Sequence, residues 1–492
     1  MNKRASGILM HISSLPSPYG IGTFGKAAYD FIDFLHRAKQ SYWQILPIGP
    51  TGFGESPYQS LSTFGGNPYF IDLDLLVQDG LIYKEDFKDL DFGRNREKVD
   101  YSKVINNKLP LLKKAFYRCR DIYSSAIAKF QEKNSWWLKD YSLYMALKYY
   151  HQQKPWNQWE RSLKLRDHST LDYYRDILRE EIDFYIFLQY LFFSQWKDLK
   201  TYANNKGIKI IGDLPIYVAQ DSVDTWVHPE LFLLDQERNP IVVAGCPPDY
   251  FSPEGQLWGN PIYNWQQHEN QGFKWWINRV GKNLELFDIL RLDHFRGLES
   301  YWQIPYGSKT AVGGEWIKGP AMKLIAALKK FLGSLDIIAE DLGYLTPEAI
   351  KLKEEAGFPG MKVLQFAFQP GANSNYLPHN LEKHSIVYTG THDNNTIMGW
   401  WEEADPKEIE YAIDYLKLNK NEGYNWGMIR GAWSSVANTA IAPIQDFLGL
   451  GSAARMNIPS TTYGNWRWRI KEEYLKDSLA KKIEKITLLY GR

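Results

Sequence analysis

Eight short apolar runs, separated by stretches of helical periodicity, constrain the fold of this chain more than any other feature. They lie near residues 7, 42, 208, 288, 336, 363, 386 and 441, in segments such as SGILMHISSL, YWQILPIGP, IKIIGDLPIYV and VLQFAF. Each reads as a buried strand. Between them stand segments with helical spacing, among them KAAYDFIDFLHRAKQ, which puts Phe31, Phe34 and Leu35 on one face, and GPAMKLIAALKKFLG. Strand and helix alternating around eight strands predict an α/β fold, a (β/α)8 barrel of the TIM type.

Residues 1–76 form the first part of that barrel on this reading. Residues 77–206 change character: they are charged and helical, with NNKLPLLKKAFYRCRDIYSSAIAKFQEK and DILREEIDFYIFLQYLFFSQWKDLKTYANNKG. We read them as a helical insertion followed by the helix that returns to the barrel. The rest of the barrel occupies 207–492, with a loop-rich insertion at about 219–272. EEYLKDSLAKKIEKITLLYGR reads as a closing amphipathic helix, so no separate C-terminal β-domain is expected.

Three of the runs end on an acid: DILRLDHFRG on Asp293, DIIAEDLG on Glu340 and SIVYTGTHDNNT on Asp393. The carboxyl ends of barrel strands converge on one face, so these acids, far apart in sequence, can meet there. In RLDHF, alternation along the strand points Arg291 and Asp293 to the same side. A guanidinium beside a carboxylate favours the ionised form, suited to nucleophilic attack; a structural ion pair is the plainer alternative. Glu340 and Asp341 alternate to opposite faces, so only one enters the barrel mouth. Apolar surroundings and a neighbouring Asp293 would raise the pKa of Glu340, as a general acid requires, although an acid capping a loop fits the same pattern. His392, Asp393 and Asn394 could bind adjacent hydroxyls of a sugar ring, or serve as turn formers.

Composition excludes other classes. A formal net charge of +1 offers no bulk attraction for nucleic acid or acidic membranes. The N-terminal apolar stretch is too short and polar for a secretory signal, and no run of about 18 apolar residues appears. Cys119 and Cys246 stand too far apart in sequence to suggest a disulfide framework. A soluble, cytoplasmic protein is expected. His11, His294 and His392 are scattered singles, and neither GPTGFG nor GGN has the spacing of a phosphate loop, so no metal or cofactor is expected. Aromatic residues make up 15% of the chain, with 19 Trp and 32 Tyr, many of them in Gly/Pro/Asn-rich stretches. Sugars have apolar CH faces that suit such rings, although loop aromatics also anchor loops. The WW, YY and WNQW in 136–159 fit a helical subdomain packed on aromatics.

The motifs YWQILPIGPTGFGESPYQSLSTFGGNPYFIDL, GDLPIYVAQDSVDTW, GCPPDYFSPEGQLWGNPIYNW, RLDHFRG, IAEDLG, GTHDNNT and GNWRWR stand in one order across residues 7 to 469. In them the chain resembles the 4-α-glucanotransferases called amylomaltase or disproportionating enzyme, family 77 of the glycoside hydrolases. The resemblance implies a barrel related to the α-amylases, with helical and loop insertions around the cleft at its C-terminal face. It implies that Asp293 is the nucleophile, Glu340 the acid/base and Asp393 the transition-state stabiliser. Asp213, Arg291, His294 and His392 match first contacts to the sugar, and Tyr58, Gln256 and Trp258 match residues of loops that embrace the glucan. The implied partners are α-1,4-glucans, with glucose as an acceptor; the sequence leaves monomer and weak dimer both open. The segment at about 246–258 is the candidate lid that keeps water from the intermediate. An α-amylase-like hydrolase on the same barrel and a non-catalytic glucan-binding protein are the alternatives.

Overall fold

The computed structural model describes residues 3–119, 123–248, 252–343, 345–371 and 374–492. Twelve strands are present among them: β1 (Ala5–Leu9), β2 (Tyr42–Gln44), β3 (Lys209–Leu214), β4 (Val242–Cys246), β5 (Gln256–Pro261), β6 (Ile289–Leu292), β7 (Ser300–Pro305), β8 (Glu315–Lys318), β9 (Ile337–Ala339), β10 (Gly360–Val363), β11 (Ser385–Tyr388) and β12 (Thr439–Pro443). Eight of them close a barrel in the order β1-β2-β3-β6-β9-β10-β11-β12, back to β1. Every barrel pairing is parallel. All eight expected strands are therefore barrel strands. Their apolar runs are unbroken because both faces are covered: Ile8, Ile210, Ile211, Leu290, Ile338, Ile386, Val387 and Ile441 are fully buried.

One boundary moves. The run VLQFAF was expected as a strand, but β10 spans Gly360–Val363 and the chain turns into a short 3-10 helix at Leu364–Phe366. Burial makes that turn as apolar as a strand, so hydrophobicity alone cannot tell them apart.

The stretch at 219–272 is more ordered than a loop. It contributes β4 and β5 to a separate four-stranded antiparallel sheet, order β5-β4-β7-β8, completed by the segment after β6. These strands escape sequence reading because most of their residues are partly buried or exposed, and Gly or Pro falls within or at the end of β4, β5 and β7.

Between β2 and β3 run helices at Leu73–Gln78, Tyr101–Cys119, Ser124–Tyr150, Arg161–Lys164, His168–Ile177 and Arg179–Asn205. The last of these pins the glycine-rich loop after β2. Buried Gln189 accepts from the Gly66 N–H at 2.7 Å and donates back to the Gly66 carbonyl at 2.9 Å. A Cβ at Gly66 would lie 2.1 Å from the Phe192 ring, so this glycine is required by packing rather than by a turn. The paired aromatics of 136–159 divide: Trp137, Trp156 and Trp159 are buried, whereas Trp136, Tyr149 and Tyr150 are exposed. The C-terminal helix Asp477–Leu489 packs on the first helix, Lys26–Arg37. No helix among the described residues is long and apolar enough to cross a membrane.

Candidate active site

Strand register places the first charges. β3 pairs β6 so that Asp213 and Arg291 are lateral partners in the ladder. The Arg291 Nη1 donates to both carboxylate oxygens of Asp213, at 2.8 and 2.7 Å, and lies 2.9 Å from Asp293 Oδ1. Burial works against the Arg291 charge, but Asp213 and Asp293 outweigh it and hold the guanidinium firmly protonated. Asp293, just beyond the end of β6, keeps part of its side chain open to the cleft.

Glu340 follows β9, and among the described residues its carboxylate accepts hydrogen bonds from two backbone N–H groups. The His294 N–H donates to its Oε2 at 2.7 Å and the Leu342 N–H to its Oε1 at 2.8 Å. His294 adopts a left-handed backbone, φ 49°, that carries its amide in this contact. Burial pushes the Glu340 carboxyl up to about 7, with Asp293 adding to the rise and Arg291 and the two amides opposing it. Its neighbour Asp341 turns the other way: it pairs with Lys353 at 2.8 Å and accepts from the Met361 N–H at 2.7 Å. The helix carrying Lys353, Pro347–Ala356, has strong local signals. Thr346 caps its first turn, Pro347 opens it and left-handed Gly357 ends it. Gly360 is demanded by close approach, since a Cβ there would sit 2.4 Å from Asp341 Oδ2.

Asp393 lies in the loop after β11. His392 Nε2 is 3.3 Å from its Oδ2, Asn457 Nδ2 donates to its Oδ1 at 2.6 Å, and Arg455 donates to its carbonyl at 2.6 Å. Burial alone would raise this carboxyl, but His392, Asn457 and Arg291 outweigh it and hold the pKa far below the ordinary carboxylate range. The His392 imidazole responds in kind: burial lowers its pKa, Asp393 raises it more, and the net movement is upward. His294 is pushed down to about 4 by burial, so its ring is neutral near pH 7.

Aromatic contacts complete the cluster. The Tyr58 hydroxyl donates to Asp213 Oδ2 at 2.8 Å, and its ring stacks on His392 with centroids 5.1 Å apart. Trp258 meets His294 edge-on at 4.9 Å and donates to Gln256 Oε1 at 3.0 Å. The ten candidate residues thus form two sets of direct contacts, Tyr58, Asp213, Arg291, Asp293, His392 and Asp393 in one and Gln256, Trp258, His294 and Glu340 in the other. The chain joins the two sets where Asp293 precedes His294. Gln256 and Trp258 differ from expectation in one respect: they sit on β5, not in a loop, because the antiparallel sheet delivers them. The lid candidate at about 246–258 spans the connection from β4 to β5, and its residues 249–251 lie outside the described residues.

Three participants were missed. Asn457 and Arg455 come from the segment after β12, an unpatterned polar stretch without any signal for a partner 62 or 64 residues earlier. Trp466 lies 5.7 Å from the Tyr58 ring and 5.9 Å from His392; the motif NWRW contained it but did not point to the cleft. Among the described residues, no group of three or more His, Cys, Asp or Glu side chains is disposed to hold a metal ion.

A parallel barrel whose strand ends gather one acid lifted to about 7 and another held far lower falls among the barrel enzymes of glycosidic-bond chemistry. The chain belongs to the 4-alpha-glucanotransferase family, whose model matches residues 10–476. It is 55% identical to a 4-alpha-glucanotransferase of Clostridium butyricum, over 98% of this chain and 100% of that protein. The 4-alpha-glucanotransferase of Streptococcus pneumoniae serotype 4 is 50% identical, over 100% of this chain and 98% of its own. Among solved structures, amylomaltase from Streptococcus agalactiae in complex with acarbose superposes with a TM-score of 0.98 at 43% identity, each chain covered completely.

Proposed function

We propose that this enzyme moves segments of α-1,4-glucan from a donor to the 4-hydroxyl of an acceptor glucan or glucose, with retention, through a covalent glycosyl-Asp293 intermediate. Asp293 attacks the anomeric carbon while Glu340 gives its proton to the departing oxygen. Glu340, now a carboxylate, takes the proton of the acceptor hydroxyl, which displaces Asp293 and restores the acid. Asp393, ionised and oriented by His392 and Asn457, binds sugar hydroxyls most tightly as the ring flattens toward the oxocarbenium ion. Asp213 braces Arg291, which in turn orients Asp293.

The observation that carries this reading is the opposition between the two environments. Glu340 titrates near neutrality and Asp393 stays ionised, so proton donor and charge stabiliser are separated by their surroundings. Incubation with maltotriose is the test. Glucose together with a ladder of longer maltooligosaccharides is expected; shortening alone would make the enzyme an α-amylase-like hydrolase. Asp293→Asn is expected to fold and to lose turnover, and a wild-type rate in this variant would sink the assignment of Asp293 as the nucleophile.

A further inference from the structure

Asp446 takes no part in the chemistry above, yet it is 1% exposed and sits one strand away from Asp393. It lies in the short helix Ile444–Leu448 that directly follows β12, the barrel neighbour of β11. No cation holds it. Burial pushes its carboxyl up to about 7, opposed only by two donors. Those donors are the Thr389 hydroxyl, at 2.6 Å from Oδ2, and the Ile397 N–H, at 2.8 Å from Oδ1. Thr389 is the first residue beyond β11, and Ile397 is the first residue of the helix Ile397–Glu403. The two donors therefore mark the two ends of the loop that carries His392 and Asp393.

The backbone that carries the carboxylate is anchored as well, since Asn425 Nδ2 donates to the Asp446 carbonyl at 2.8 Å. Inside the loop, Gln365 donates to the Asn395 carbonyl at 2.9 Å, and Asn394 Oδ1 accepts from the Thr391 amide and hydroxyl, both at 2.9 Å. These inner contacts shape the loop. Its first residue is also tied to β12 by the Thr389 N–H, which donates to the Ile441 carbonyl at 3.3 Å. The Asp446 carboxylate adds a side-chain tie there and a tie at the far end. A buried acid without a cation costs stability, which an apolar residue here would avoid. What the acid supplies is two acceptors at a fixed separation.

We propose that Asp446 is a positioning residue: its two carboxylate oxygens clamp both ends of the 389–397 loop and so set the placement of Asp393 and His392 against the reacting sugar. This rests on the transition-state role assigned to Asp393. Asp393 acts most strongly in the transition state, so loosening the clamp lowers kcat and leaves KM nearly unchanged.

The test is a set of variants assayed on maltotriose, with unfolding followed in parallel. Asp446→Ala is expected to lower kcat roughly 10²-fold, the loss that follows from misplacing a catalytic group by about 1 Å. Asp446→Asn should recover most of that rate, because its oxygen accepts from Ile397 while its amide donates to a rotated Thr389 hydroxyl. Thr389→Val releases one end only and should give a smaller fall in kcat at unchanged KM, which keeps the test open if Asp446→Ala does not fold. In an Asp393→Asn background, assayed with maltosyl fluoride, Asp446→Ala should add little further loss, since both act through one group. A wild-type kcat in Asp446→Ala, a loss in Asp446→Asn equal to that of alanine, or fully additive losses with Asp393→Asn would each overturn the clamp. The wild-type product ladder is untouched by any of these results, so failure of the clamp and failure of the transferase reading are distinguishable.

Discussion

Replacing Glu340 by Gln, and titrating the native enzyme beside it, tests the central chemical assignment. Moving a carboxyl from its ordinary 4.5 to about 7 makes its ionisation about 3 kcal/mol harder. At pH 7 such a group is about half protonated, whereas an unperturbed one is protonated in roughly one molecule in 300, so the site gains roughly 150-fold in proton donor. The sign follows from the role: the first step needs the protonated form, so kcat/KM on maltotriose should fall tenfold per pH unit above about 7. Glu340→Gln cannot give the proton and should be slower by roughly 10²–10⁴-fold on maltotriose. Maltosyl fluoride, whose leaving group needs no proton, should restore the first step alone. Glutamine cannot then deprotonate an acceptor, so glycosylated Asp293 should accumulate and be visible by mass spectrometry. A native profile flat across the alkaline range, or a variant equally slow on both donors, would refute the reasoning.

Three further outcomes follow from the neighbours of the acids. Asp341→Ala should cost about 3–5 kcal/mol in denaturant unfolding, because it strands Lys353 and the Met361 amide, while the alkaline limb set by Glu340 stays in place. Asn457→Ala removes a hydrogen bond to a charged group, worth about 1.5–3 kcal/mol, and should lower kcat roughly 10- to 100-fold with the acid limb moved upward as Asp393 becomes easier to protonate. Shortening the connection between β4 and β5 should raise hydrolysis relative to transfer, read as glucose released without longer products; an unchanged ratio would remove the lid role from this segment.

Much of the site was legible before any fold was known, for a local reason. An apolar run ending on Asp293, Glu340 or Asp393 carries its own message, since a buried strand must end where its polar residues begin. Alternation correctly separated Glu340 from Asp341, because side-chain direction along a strand is a property of the strand alone. The resemblance supplied Tyr58, Asp213, Gln256 and Trp258, whose local patterns say little. Legibility failed where partners lie across the barrel. Nothing near Asn457 or Asp446 in the chain announces an acid or a loop to hold, and β5, β7 and β8 are too polar or too exposed to register as strands, while β4, VVAGC, is a short apolar run among loop signals.

The amino-acid sequence by itself determined the eight-strand alternation and which residues stand at the strand ends, because periodicity and the burial it requires are short-range properties. Only the tertiary structure decided that Asp213 faces Arg291, which follows from β3 pairing with β6 across 78 residues. It also decided that Glu340 is lifted toward neutrality and Asp393 held down. Those differences arise from burial and from charges brought together by barrel closure, and electrostatics depends on distance in space rather than along the chain.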